Sequence, residues 1–154
     1  MPAFSAFCVA APRSGEGKTT AAMALCRALR ERGLAVQAFK CGPDYVDPTF
    51  LATASGRRAL NLDTWLMGEN GVRRIFARAG RQAGVCVVEG VMGLFDGRGP
   101  GDLSGSTLDC ARVLGLPVIL TVNVRGMAAS IAPLVAGFLD SARRHGVRIA
   151  GVLA

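Results

Sequence analysis

Short apolar runs alternate along this chain with stretches whose apolar positions recur every three or four residues. Phe4 to Ala10 is an apolar run of strand length. From Thr19 to Arg32, Ala22, Leu25, Cys26 and Leu29 fall at i, i+3, i+4 and i+7, one face of a helix, and Gly33 closes it as a C-cap. Ala35 to Lys40 is a second strand and Cys41 to Asp47 a turn-rich loop. Asp47-Pro48 predicts an N-cap followed by proline at the first helical position, with a short helix to about Thr53. Arg57 to Gly68 has no clear period, though Asn61-Leu62-Asp63-Thr64 predicts a capped turn that holds Trp65; Gly71 to Ala79 reads as a helix. Val85 to Val88 is a wholly apolar strand ending at Glu89-Gly90, and a glycine-rich loop follows from Val91 to Gly105. Ser106-Thr107-Leu108-Asp109 is a capping box opening a helix that Gly115 and Pro117 stop. Pro117 to Val122 is a strand, Ile131, Leu134, Val135, Phe138 and Ala142 mark an amphipathic helix ending near His145-Gly146, and Arg148 to Leu153 is a last strand. This alternation predicts an α/β fold, a doubly wound, mainly parallel sheet with helices on both faces.

The first strand and first helix are joined by Ala11 to Thr20, APRSGEGKTT, a phosphate-binding loop in the right context. Backbone N–H groups of Ser14, Gly15, Glu16, Gly17 and Lys18 can wrap a phosphate at a helix N-terminus. Lys18 can reach the β- and γ-phosphates, and the Thr19 hydroxyl, followed by Thr20, can ligate Mg²⁺. These features define a P-loop NTPase. The common motif has glycine six residues before the lysine, where this chain has Pro12, so that corner must turn differently. Arg13 stands where the deviant loop of partitioning ATPases carries a second lysine. It reads either as an arm to a phosphate or to a neighbouring subunit's nucleotide, which implies a homodimer, or as solvated surface.

With 154 residues, 51% of them hydrophobic, the chain suits one domain with a real core and excludes disorder. No apolar stretch reaches the roughly 18 to 20 residues that span a membrane. The N-terminus lacks a basic region before its short apolar run, so it reads as a strand and not a signal peptide, which predicts a cytoplasmic protein. Five scattered cysteines, no C-x-x-C pair and a single histidine, His145, argue against zinc or a disulfide framework. The formal charge of +7 comes from dispersed arginines without interleaved aromatics, which speaks against nucleic acid as a partner. Only two lysines occur, Lys18 and Lys40, where a compact point charge serves better than arginine.

Sites in doubly wound sheets form at the carboxyl ends of the strands. Asp44 and Asp47 follow the second strand, Glu89 ends the apolar strand as a Walker B carboxylate should, and Asp96 lies further on. These acids suit a nucleotide-bound Mg²⁺, for which Thr19, Asp44 and Glu89 are the expected ligands. Two readings stay open for several of them: Asp47 as catalytic group or helix cap, Asp44 as ligand or turn residue, Asp96 as site residue or turn former. Asn123-Val124-Arg125-Gly126 lacks the Lys and Asp with which GTPases read guanine, which favours ATP.

Lys40-Cys41-Gly42-Pro43-Asp44-Tyr45-Val46-Asp47-Pro48, Asn61-Leu62-Asp63 and Val88-Glu89-Gly90-Val91-Met92-Gly93-Leu94-Phe95-Asp96-Gly97 resemble the cobyrinate and hydrogenobyrinate a,c-diamide synthases. Ser106 to Arg112, Gly115 to Val118 and Arg125 to Ala128 continue the match, so the resemblance covers nearly the whole chain. It implies a dethiobiotin-synthetase-like P-loop fold and ATP-dependent amidation of two acetate side chains of a corrinoid through acyl phosphates. It further implies that Lys18 and Thr19 hold phosphates and Mg²⁺, that Asp44 and Glu89 help hold metal, that Lys40 neutralises developing charge, and that Asp47 orients the substrate carboxylate. Arg57, Arg58, Arg98 and Arg125 are then the arginines to meet the substrate's other carboxylates. The family carries a C-terminal glutaminase domain as ammonia source, which has no counterpart in these residues; with the chain stopping at a strand, this predicts a piece of a longer protein. A partitioning-type ATPase switch is the alternative from another class and predicts lysine at Arg13. A dethiobiotin-synthetase-like ligase is a nearer alternative that leaves the G-P-D-Y-V-D-P run unexplained.

Overall fold

The computed structural model describes residues 4–154. Six strands form one sheet in the order β3-β2-β4-β1-β5-β6. They are β1 (Ser5–Ala10), β2 (Val36–Cys41), β3 (Leu60–Leu62), β4 (Val85–Glu89), β5 (Val118–Thr121) and β6 (Ile149–Leu153). Every pairing is parallel. Five helices connect them: α1 (Lys18–Glu31), α2 (Asp47–Ser55), α3 (Thr64–Gly80), α4 (Thr107–Leu114) and α5 (Ile131–Arg144).

Apolar strand residues divide by parity because successive side chains point to opposite faces. Val9, Val36, Ala38, Val85 and Val87 pack with Ala22 and Cys26 of α1 and Leu51 of α2. Cys8, Phe39, Cys41, Cys86 and Val88 pack on the other face with Val72 and Phe76 of α3 and Leu108 of α4. Both faces are therefore covered, as the near-continuous apolar runs require. All five cysteines are free and buried, small core residues rather than ligands.

The sequence expectations hold for every predicted element, with two additions. β3 is only three residues long, too short to show a period. The capped turn at Trp65 is the first turn of α3: Asp63 Oδ1 accepts from the N–H groups of Trp65 and Leu66, both at 2.9 Å. Gly68, at φ +66° and ψ 167°, breaks the helical path before the second part of α3 continues. The Ser106 cap accepts the N–H of Asp109 at 3.1 Å. The reciprocal half of the box is absent, because Ser106 N–H goes to the Leu103 carbonyl and the Asp109 carboxylate to the Thr64 hydroxyl.

One predicted cap is corrected. Asp47 opens α2 but its side chain caps nothing; Val46 occupies the cap position and Pro48 follows within the first turn. The Asp47 carboxylate turns instead to Lys40. Asp44 supplies the local turn, its Oδ1 accepting from the N–H groups of Val46 at 2.8 Å and Asp47 at 3.1 Å. Asp96 is likewise a turn former, accepting from Gly93 N–H at 2.8 Å.

Candidate active site

β1 delivers the chain to its carboxyl end at Ala10, and the loop turns over that end before α1 begins at Lys18. Gly15 and Gly17 both take φ near +81°, the left-handed region that a side chain disfavours. Alternating handedness aims successive N–H groups into one hollow. From Ser14 to Gly17 these groups donate to no backbone carbonyl among the described residues. Lys18 bends back over the hollow, its Nζ donating to the Arg13 carbonyl at 3.2 Å. Pro12 turns its carbonyl toward Gly93, where an added Cβ would lie 2.5 Å away, so a glycine there lets the loop after β4 close against the phosphate loop.

Sheet register sets the rest. Glu89 on β4 is level with Val9 on β1 and with Lys40 on β2. Lys40 Nζ spends its three protons on three acceptors: Asp47 Oδ2 at 2.6 Å, Glu89 Oε1 at 2.9 Å and the Gly90 carbonyl at 3.0 Å. Glu89 Oε1 also accepts the Thr19 hydroxyl at 2.6 Å. Glu89 is wholly buried, and its second oxygen, Oε2, has no hydrogen-bond partner among the described residues. An orphaned carboxylate oxygen in a dry site calls for a ligand. Beside the Thr19 hydroxyl, its hard oxygen fits Mg²⁺.

These groups open on one cavity of about 450 Å³ at the carboxyl ends of β1, β2 and β4. Ser14, Gly15, Gly17, Lys18, Thr19 and Thr20 line one side; Lys40, Asp44, Asp47 and Glu89 line the other. Asp44 stands further from Lys40 than Asp47 does, at 3.9 Å. Of the residues predicted to hold nucleotide, metal and reacting carboxylate, only the Glu16 side chain turns away. Its Oε1 accepts from Arg13 Nε and its Oε2 from the Asn123 N–H, each at 2.6 Å. Arg13 therefore has an acidic partner within its own chain. A larger hollow of about 690 Å³ between α5 and β6 holds none of the predicted site residues.

Burial and neighbouring charge tune these groups. Burial alone would depress Lys40, but its bonds to Asp47 and Glu89 prevail and raise it, so it stays an ammonium. Burial pushes Glu89 up, against the pull of Lys40 and Thr19. Lys18 is lowered, first by burial and then by repulsion from Lys40. Lys40 is thus neutralised by its acidic partners, whereas Lys18, bonded only to the Arg13 carbonyl, faces the hollow as a cation without a carboxylate partner among the described residues.

Residues 7–154 match the family of CobQ/CobB/MinD/ParA nucleotide binding domains, CbiA. This chain belongs to that family. It is 50% identical over 146 residues to the cobyrinate a,c-diamide synthase of Syntrophotalea carbinolica, covering 95% of this chain and 31% of that protein. It is 48% identical over 155 residues to the hydrogenobyrinate a,c-diamide synthase of Mycobacterium bovis, covering 97% of this chain and 33% of that protein. The chain thus spans about a third of the length of these relatives. The tyrosine kinase domain of BceF shares the fold, with a TM-score of 0.61 at 13% identity, over 96% of this chain and 67% of that one.

Some features of this nucleotide-binding domain escaped the sequence. The Gly90 carbonyl completes the Lys40 shell, and Val91 and Met92 line the cavity. Met92, at φ +47°, is the one non-glycine residue in a left-handed conformation among the described residues. Nothing in V-E-G-V-M-G marks it beforehand. Arg57 and Arg58 are a correction. They join α2 to β3 at the amino ends of the strands, where Arg57 Nη1 donates to the Gln82 carbonyl at 2.6 Å and the Arg58 carbonyl accepts from Gln37. They stand at the end of the sheet opposite the cavity. Arg98 and Arg125 follow β4 and β5 at the correct end. Among the described residues, no helix is long and apolar enough to cross a membrane.

Proposed function

We propose that this domain binds ATP and Mg²⁺ for amidation of the a and c acetate carboxylates of cobyrinate or hydrogenobyrinate, with ammonia released from glutamine, in cobalamin biosynthesis. The observation that carries the reading is the likeness to two diamide synthases across almost the entire chain. The geometry of the cavity is compatible with each step.

A carboxylate oxygen of the substrate attacks the γ-phosphorus of ATP, the bond to the β–γ bridging oxygen breaks, and ADP departs. Ammonia then adds to the acyl carbon, loses a proton, and inorganic phosphate leaves with its oxygen. The loop N–H groups and Lys18 hold the phosphates in line for the first step. Lys40 neutralises the charge that gathers as substrate and phosphate anions converge, and it fixes Asp47 to orient the incoming carboxylate through water. Thr19 and Glu89 would hold Mg²⁺, with Asp44 at the cavity mouth, and the ion would supply charge neutralisation to the phosphate oxygens.

The test incubates the full-length protein with ATP, Mg²⁺, ammonia and each corrinoid, and follows acid-to-amide conversion by mass spectrometry. Two conversions on one of them support the reading, and no reaction on either refutes it. Replacing ammonia with glutamine tests the ammonia source. Asp47→Asn should slow amidation about 100-fold or more, in line with loss of a positioning group. Unchanged amidation would leave Asp47 as a partner of Lys40 alone.

A further inference from the structure

Trp65 is the chain's only tryptophan, and it is 56% exposed. An indole of this size normally contributes most by burial. Its backbone is nevertheless fixed, because its N–H is tied to the Asp63 cap at 2.9 Å. The guanidinium carbon of Arg98 lies 4.5 Å from the centroid of its ring. Trp65 begins α3 just beyond the carboxyl end of β3, and Arg98 lies in the loop that leaves the carboxyl end of β4. The pair therefore stands on the β3 side of the sheet, at the same end as Lys40, Asp47 and Glu89.

Arg98 differs from the domain's paired arginines. Arg13, Arg112 and Arg143 each bind a carboxylate at 2.6 to 2.9 Å. Arg98 makes no ion pair and no hydrogen bond among the described residues, and Asp102 feels it only through space. A guanidinium held over an aromatic face keeps its edge donors free for a planar anion. Other apolar side chains are exposed on segments that leave the same end of the sheet: Tyr45 and Val46 after β2, and Leu66 beside Trp65 at the start of α3. An apolar, aromatic shelf with one uncommitted cation complements a broad apolar ring that carries carboxylates.

The nucleoside is a poorer match for this shelf. The phosphate loop crosses the end of β1, and the reacting groups gather over β4 and β2. A γ-phosphate held beside Lys40 and Glu89 would point that way, which would put the nucleoside on the β5 side, away from Trp65.

We propose that Trp65 and Arg98 form the corrinoid-recognition shelf, Trp65 supporting the macrocycle and Arg98 pairing with one carboxylate that is not being amidated. This rests on the function proposed above and assigns residues to its substrate. It makes Arg98 a specificity residue outside the ATP cavity.

The test uses the full-length protein and compares wild type with Arg98→Gln, Arg98→Lys, Trp65→Phe and Trp65→Ala. Arg98→Gln should raise the corrinoid KM about ten-fold, the loss of one charge-assisted bond, and leave kcat and the KM for ATP within about two-fold. Arg98→Lys should show a smaller rise than Arg98→Gln; Trp65→Ala should also raise the corrinoid KM, and Trp65→Phe should keep most of the wild-type affinity. The fluorescence component absent from Trp65→Phe should be quenched by the corrinoid and not by ATP. Wild type should bind the free acid more tightly than the same corrinoid with its carboxylates esterified, and Arg98→Gln should lose that preference. An unchanged corrinoid KM in Arg98→Gln, or no quenching of Trp65 while the corrinoid is amidated, overturns the shelf; the second result would mark Trp65 as a protein contact surface. If wild type neither binds nor amidates either corrinoid, the function itself fails and the shelf fails with it.

Discussion

Replacing Lys40 with methionine keeps most of the side-chain volume and removes the ammonium that joins Asp47, Glu89 and the Gly90 carbonyl. Glu89 would then be fully buried with the Thr19 hydroxyl as its one donor. Removing one member of a buried ion pair costs about 3–5 kcal/mol, because the remaining charge is stranded. Against a total stability of about 5–15 kcal/mol this is a large share. With a urea slope of about 2 kcal/mol/M, the unfolding midpoint should fall by roughly 1.5–2.5 M. The stranded carboxyl responds by taking up a proton. Burial already raises it in the wild-type fold, and loss of Lys40 raises it further. A carboxyl raised in the folded state favours folding below its unfolded value, and that advantage is lost as pH rises through the folded value. The Lys40→Met deficit should therefore be smaller at pH 5 than at pH 8. Adding Glu89→Gln should recover a substantial part of it at pH 8, as a non-additive double mutant. Urea titrations of the four proteins at both pH values decide the matter. A deficit below about 1 kcal/mol, or one equal at both pH values and additive with Glu89→Gln, would show that Lys40 does not neutralise Glu89.

Other perturbations probe the frame around the site. Gly97→Ala drives a Cβ to within 2.9 Å of Leu103 C and Ser104 O and closer still to the Asp102 carbonyl, so it should cost about 1–3 kcal/mol and lower Tm by roughly 3–10 °C, read by calorimetry. Asp63→Ala removes the cap on Trp65 and Leu66; a Tm loss of about 2–4 °C with a change in Trp65 emission is expected, and unaltered emission would mean the cap does not hold the indole. Glu16 is held below its ordinary range: burial opposes this, but Arg13 and the Asn123 N–H prevail. Its contribution is present above the unfolded value and is lost as pH falls through the folded one. Wild type and Glu16→Ala should therefore differ in Tm at pH 7 and converge in acid, whereas a gap that persists in acid would deny the carboxylate that role.

Much of this architecture is legible in the residues because strand and helix periods differ and the strands are buried on both faces. The run Val85-Cys86-Val87-Val88 has no alternation to misread, and Ala22, Leu25, Cys26 and Leu29 mark a single helical stripe. The site was legible to the level of its charged residues, since lysines are scarce and an acid closing an apolar strand is conspicuous. Asp47 shows the limit. Its place before Pro48 fits a cap, and only the register that sets Lys40 beside Glu89 reveals the competing partner. β3 was hidden by its length, and its neighbour Cys41 gives no hint of pairing with Leu62. Arg57 and Arg58 failed as substrate contacts because sequence cannot tell which end of a strand a loop occupies until the strand itself is recognised.

The sheet's single polarity has a practical side. With every strand parallel, the candidate site lies at one end, and the turn between α3 and β4 lies at the other, about 16 Å along β4. Gln82 sits in that turn, exposed; its backbone carbonyl accepts the 2.6 Å bond from Arg57 Nη1, and its side-chain Oε1 accepts only a longer one, 3.5 Å, from Arg57 Nη2. All five native thiols are sealed in the core. A Gln82→Cys substitution would thus present the one surface thiol of the domain to a maleimide dye, a handle for tethering or energy transfer to Trp65 that leaves the cavity end of the sheet untouched.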